Sequence, residues 1–220
     1  MTLTKTEIVQ LYRRRAKRYN LSANLYYLIG FREQKYREMA VDALGLQRGD
    51  MVVEIGCGTG LNFPFLERSV GLQGKIIGLD LTDEMLGRAW ERIRANQWSN
   101  VELIRADAAR YEFPDDVGGV LSTFAITLVP EYDRIIKKAS TGLGPGKRCV
   151  ILDLKKPQNI PNWLTKLAVL ITNPFGVSMD LMERHPWESI ERYFGSTSRR
   201  DLYLGFAYIS VGEVNQPLRS

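Results

Sequence analysis

Two carboxylates and three glycines carry the chemistry this chain advertises. Glu54 lies inside a short apolar run, Met51–Ile55, and Gly56, Gly58 and Gly60 follow at alternate positions. Such a run reads as a β-strand that ends in a tight turn and opens a helix. Glycine has no Cβ, so this turn can take positive φ and let a ligand approach the main chain, with N–H groups of the helix start facing it. Leu61 stands where a dinucleotide fingerprint wants its third glycine, which disfavours a pyrophosphate-bearing cofactor. About twenty residues on, the run Lys75–Asp80 reads as a second strand with an acid at its C-terminal tip, where open α/β sheets hold a ribose diol. A carboxylate such as Glu54 within a strand requires donors to accept from. These features together describe a site for a nucleoside without a pyrophosphate.

Other reactive side chains are few. Cys57 and Cys149 are the two cysteines and His185 is the one histidine, so neither a disulfide framework nor a metal cluster is expected. Cys57 sits in the loop, where small volume explains it; no base is in view to make it a nucleophile.

The elements that must position these residues alternate regularly. Helices are expected over Gln34–Leu44, Leu61–Val70 (with Pro64 in its first turn), Thr82–Gln97 (capped by Thr82), Glu131–Thr141 and Trp187–Phe194. Further strands are expected at Val101–Arg105, Val117–Phe124 and Arg148–Leu154, then as a closing pair, Asp201–Gly205 and Phe206–Val211. This alternation predicts an α/β fold with a doubly wound, mostly parallel sheet. With 220 residues and 45% hydrophobic content, one elaborated domain suffices. We divide it into an N-terminal helical cap or lid, 1–45, and a main domain, 46–220. The stretch Trp163–Ile171 is apolar and helical in pattern, fit to roof a pocket in preference to lying in a membrane interface, and Asn173-Pro174-Phe175 reads as a turn.

The net charge of +5 is concentrated at one end. Residues 1–40 hold nine Lys or Arg against three acids, and the rest of the chain is about neutral. From Thr6 to Tyr19 the apolar residues Ile8, Leu11, Tyr12, Ala16 and Tyr19 form a stripe, with Arg13, Arg14, Lys17 and Arg18 on the remainder. This basic amphipathic helix can pack on the domain with a solvated face, lie on an anionic membrane or meet nucleic acid. The following stretch to Arg32 is rich in tyrosine, suited equally to covering a cleft, where aromatic faces attract cations, and to packing a cap helix with its hydroxyls wet. No run reaches the roughly 18 apolar residues of a membrane span, and no signal-peptide core is seen, so a cytoplasmic location is expected, peripheral at the inner membrane surface if the basic helix binds lipid.

The string Glu54-Ile55-Gly56-Cys57-Gly58-Thr59-Gly60, then Asp80, then Asp107-Ala108, resembles the signature of class I S-adenosylmethionine-dependent methyltransferases in order and spacing, over about residues 50–155. The resemblance implies a Rossmann-like methyltransferase fold, its sheet seven-stranded with an antiparallel final strand. It also implies S-adenosylmethionine as cofactor, S-adenosylhomocysteine as product, and a cofactor-binding set of Glu54, Gly56, Cys57, Gly58, Gly60, Asp80, Leu81, Asp107, Ala108 and Thr123. Asp80 would hold the ribose hydroxyls, and Asp107 with the backbone of Ala108 would read the adenine. No metal is implied.

Acceptor chemistry is less defined. Ser122-Thr123-Phe124-Ala125 lacks the Asn/Asp-Pro-Pro-aromatic tetrapeptide of methylases acting on nucleobase amines, which counts against nucleic acid as a partner. Arg13–Leu21 with Asn24–Gly30 is similar to the opening segment of bacterial lipid head-group N-methyltransferases and, more distantly, of quinone-ring C-methyltransferases. The expected function is therefore methyl transfer to a small or amphiphilic acceptor, a lipid head-group amine first. A quinone or other small-molecule C- or O-acceptor, an RNA target and a non-catalytic cofactor-binding protein are the alternatives. If a general base is needed, Tyr19, Tyr26 and His185 are the candidates.

Overall fold

The computed structural model describes residues 30–157 and 183–215. Expectations for the basic amphipathic helix, the tyrosine-rich stretch up to Ile29, Tyr19, Tyr26, the apolar run 163–171 and the turn at 173–175 lie outside the described residues.

Five parallel strands, β1 (Met51–Ile55), β2 (Lys75–Asp80), β3 (Val101–Arg105), β4 (Val117–Thr123) and β5 (Arg148–Leu154), alternate with helices α1 (Glu33–Ala43), α2 (Phe63–Val70), α3 (Asp83–Asn96) and α4 (Tyr132–Gly142). Helix α5 (Pro186–Tyr193) then leads into β6 (Ser196–Leu202) and β7 (Ala207–Glu213). The sheet has seven strands in the order β3-β2-β1-β4-β5-β7-β6, and β7 is antiparallel to both its neighbours. The expected doubly wound α/β sheet is therefore observed.

Period-two alternation divides the core. Val52, Leu121, Val150 and Leu152 face α1, α2 and α3 on one side, while Val53, Ile55, Val120, Cys149 and Ile151 face α4 and α5 on the other. Chain direction reverses its spread between β1 and β4, which opens a crevice at the carboxyl ends of the strands.

The closing hairpin differs from the sequence expectation. Its first strand begins at Ser196, and residues 203–205 form a 3-10 turn rather than strand. Ser196–Arg200 is polar and exposed on both faces because β6 is the sheet edge, so no hydrophobic alternation marks it. Helix α2 starts at Phe63, two residues later than expected, because residues 57–62 are occupied by the turn.

Phe63 joins the turn to the sheet. It is fully buried, and its ring fills the space that a Cβ on either Gly60 or Gly78 would need, at 2.5 and 3.0 Å. Phe63→Ala should lower unfolding free energy by about 3–5 kcal/mol in urea denaturation.

Candidate functional site

The site is built where β1 ends. Gly56, Gly58 and Gly60 all take positive φ, as the turn requires. At Gly56 a side chain would collide with Ala125 after β4, whereas at Gly58 it would meet open space. The turn is pinned by its own polar groups: Cys57 N–H donates to Leu79 O at 2.9 Å, and Gly60 N–H to Cys57 O at 2.9 Å. Arg92 of α3 donates to Thr59 O at 2.9 Å. Gly58 N–H, expected to face a ligand, donates to Asp80 Oδ2 at 2.9 Å.

Asp80 thus stitches the tips of β1 and β2 together. Its other oxygen accepts from the amide of Thr82 at 2.9 Å and from the Thr82 hydroxyl at 2.7 Å. Thr82 therefore does not cap α3 through its side chain as expected; the hydroxyl serves Asp80 instead. Burial raises the Asp80 pKa, and the Thr82 and Gly58 donors oppose that rise.

Beneath the turn lies a buried polar network that the sequence did not reveal. Asn62 is 0% exposed; its amide donates to Glu54 Oε1 at 2.5 Å and to Thr123 Oγ1 at 2.7 Å. Its carbonyl accepts from Arg37 of α1 at 3.3 Å. Arg37 also donates to Thr123 Oγ1 at 2.5 Å and pairs with Glu33 at 2.7 Å. Glu54 is 1% exposed, and its second oxygen, Oε2, has no hydrogen-bond partner. Burial pushes its pKa up to about 7, against the Asn62 hydrogen bond and the Arg37 charge, and Asp80 raises it further.

A cleft follows the crevice, open to solvent at its mouth. Of the expected residues, Gly56, Cys57, Gly58, Asp80, Leu81, Asp107, Ala108 and Thr123 line it. Glu54 and Gly60 do not: Glu54 lies in the network below, and Gly60 packs on Phe63. Asp107 caps the turn after β3, accepting from Ala109 N–H at 3.0 Å. Arg37, Met85, Phe124 and Val129 also line the cleft and were not foreseen.

Cys57 is no nucleophile here. Burial, with Asp80 and Glu54 nearby, raises its thiol well above the usual range. His185 is not brought to the cleft-lining set; its Nδ1 lies 2.9 Å from Glu188 Oε1 and its ring packs on Trp187. Among the described residues, no cluster of metal-ligating side chains occurs.

Phe124 defines the far wall. Its φ of 54° is a left-handed conformation that a bulky residue adopts only when its surroundings impose it. The amide donates to Leu152 O at 2.7 Å, which holds the strained residue to β5. Its ring packs on Phe31 at 5.9 Å and beneath the Arg37 guanidinium at 5.0 Å, and Phe31 meets Tyr36 and Tyr203 edge-on, each at 5.2 Å. One side of the cleft is thus acidic and the other aromatic.

Sheet order, glycine turn and strand-tip acids define a class I S-adenosylmethionine-dependent methyltransferase fold. A family model of the ubiE/COQ5 methyltransferase family matches residues 1–166, and the chain belongs to that family. It is 29% identical over 130 residues to a demethylmenaquinone methyltransferase of Listeria welshimeri, a match covering 59% of this chain and 55% of that protein. The chain therefore spans about half the length of the curated relatives it matches. Among solved structures, a SAM-dependent methyltransferase from Aquifex aeolicus is similar with a TM-score of 0.62 at 20% identity, covering 81% of this chain and 89% of that one. A Haemonchus contortus phosphoethanolamine N-methyltransferase, solved with phosphomonomethylethanolamine and S-adenosylhomocysteine, has a TM-score of 0.60 at 16% identity, covering 78% and 50%. These structural likenesses concern the fold.

Glu54 makes the site pH-sensitive. Its folded-state pKa, about 7, lies above the ordinary 4.5, so the folded state binds the extra proton and stability falls as pH rises between these values. Glu54→Gln should remove about 3 kcal/mol of that decline, seen as a variant that gains on wild type between pH 4.5 and pH 8 in urea denaturation.

Proposed function

We propose that this chain transfers a methyl group from S-adenosylmethionine to a planar, amphiphilic acceptor of the quinol type. The observation that carries the acceptor reading is the strained Phe124, which presents an uncharged aromatic wall to the cleft. The name of the Listeria relative, a demethylmenaquinone methyltransferase, supports the same acceptor class. The head-group amine favoured by residues 13–30 has less behind it, since the Haemonchus enzyme shares only the fold.

The residues fit this cofactor. The open space at Gly58 leaves room against the main chain, and the orphaned Glu54 Oε2 lies in a network that a cation would complement. The acids Glu54 and Asp80 make the turn hostile to phosphate and receptive to positive charge. The cofactor supplies a methyl carbon made electrophilic by its sulfonium. Asp80 accepts from the ribose hydroxyls, and Asp107 with Ala108 orients the adenine. Arg37, which lines the cleft, meets the cofactor carboxylate, while the buried Glu54 favours its ammonium from the network beneath. Phe124, backed by Phe31, holds the acceptor ring flat and excludes water. In-line displacement then asks the protein chiefly for alignment: the sulfur departs as the neutral thioether, and the proton of the methylated ring carbon passes to solvent as the ring regains aromaticity.

Methyl-labelled cofactor should mark a ring carbon of a reduced, demethylated naphthoquinol and leave phosphatidylethanolamine unlabelled; label on the amine alone would refute the acceptor assignment. Phe124→Leu should lower kcat/KM for the quinol by about tenfold or more while cofactor affinity holds. Asp80→Ala should weaken S-adenosylhomocysteine binding by about ten- to a hundredfold in titration calorimetry, through loss of charge-assisted bonds.

A further inference from the structure

The turn between β6 and β7 lies at the same edge of the sheet as the glycine loop. Leu154, the last residue of β5, pairs with Ala207, the first of β7, and Leu202 pairs with Ala207 from the other side. At this turn Tyr203 and Leu204 take φ of 45° and 55°, two consecutive left-handed residues that are not glycine. Such a conformation persists only where neighbours impose it. The neighbours are evident: Tyr203 packs edge-on against Phe31 at 5.2 Å and Phe206 lies 6.2 Å from it. The base of the turn is thus locked, and what it projects is a leucine that is 82% exposed.

Basic side chains border the tip. Arg32, exposed, follows the Phe31 that holds Tyr203. Lys156 precedes Pro157, whose Cβ lies 3.5 Å from where a Cβ on Gly205 would stand, and Arg200 is exposed on β6. Asp201 pairs with Lys155 at 2.7 Å, and Glu183, 3.9 Å from Lys156, offsets that lysine's charge. A lone apolar side chain flanked by arginines is the arrangement that anionic lipid surfaces accept.

We propose that the 203–205 turn is a lipid-contacting tip: Leu204 enters the boundary between head groups and acyl chains of an anionic membrane, with Arg32 and Arg200 at head-group level. A protein partner is the poorer fit, since one projecting residue offers far less than the roughly 800 Å² per side of a stable interface, whereas lipid demands no complementary shape. The purpose of the contact rests on the amphiphilic-acceptor reading, because it turns the aromatic side of the cleft toward the phase where such an acceptor dissolves. The contact itself can be tested without any acceptor.

The full chain is sedimented with vesicles of phosphatidylcholine alone or mixed with phosphatidylglycerol, at low salt and without cofactor. Wild type should bind the anionic vesicles, and Leu204→Asp should lower the partition coefficient about tenfold. Leu72→Asp is the control: Leu72 is 70% exposed and lies just before β2, at the opposite edge of the sheet. It should bind as wild type does. The proposal is overturned if wild type ignores anionic vesicles, if Leu204→Asp binds unchanged, or if Leu72→Asp loses as much. Unchanged S-adenosylhomocysteine affinity of Leu204→Asp verifies its fold, and if that affinity is lost, Leu204→Ser is read instead by the same criteria. Quinol turnover in detergent separates the two readings: its absence with vesicle binding intact overturns the acceptor assignment alone.

Discussion

A carboxyl group sealed away from water must have its charge answered or keep its proton, and Glu54 places that demand at the centre of the sheet. The answer comes from three elements at once. Asn62 reaches it from the turn, Thr123 ties Asn62 to the end of β4, and Arg37 brings in α1 with its own counter-charge, Glu33. The amide of Asn62 uses both its donors and its acceptor, so its orientation is set by its neighbours. Helix α1 is thereby held against the cleft wall by hydrogen bonds as well as by the packing of Ala40 and Val41.

From this arrangement follows a division of the cleft by chemistry. Toward β2 and β3 it offers Asp80 and Asp107, acceptors for hydroxyl and amino groups. Toward β4 it offers Phe124, backed by Phe31, with Ala125, Leu128 and Val129 beside it. The Arg37 guanidinium spans the two halves, bonded to Thr123 and stacked on Phe124. The acidic and apolar halves of the cleft thus meet at that cation. The strain at Phe124 is the cost of turning an aromatic face into the cleft directly from a strand end.

Much of this was legible because the signals were local. Strands β1, β2, β3 and β5 are apolar runs bounded by turn residues and fall where the pattern places them. Asp80 was read correctly as a strand-tip acid beside the glycine turn, and Glu54 as a carboxylate needing donors. The donors themselves were not visible: Asn62 is eight residues away and Arg37 belongs to a helix whose basic character looked like part of a cationic extension. Thr82 has the residue type of a cap, but a nearby carboxylate outcompetes the helix for its hydroxyl. Strand β6 is polar because it is an edge, so its pairing resides in backbone groups that side-chain pattern does not record. The left-handed residues Phe124, Tyr203 and Leu204 carry no sequence mark, since the strain is imposed by tertiary neighbours rather than by residue type.

The central claim is that the acidic half of the cleft holds an adenosine and the buried network beneath holds its charged tail. A crystal structure with S-adenosylhomocysteine tests it most directly. The account predicts the ribose within hydrogen-bonding distance of Asp80, the adenine beside Asp107 and Ala108, and the amino acid end over Glu54 and Arg37. The nucleoside lodged elsewhere, or lying in the cleft with Asp80 still directed only to Gly58 and Thr82, would contradict it.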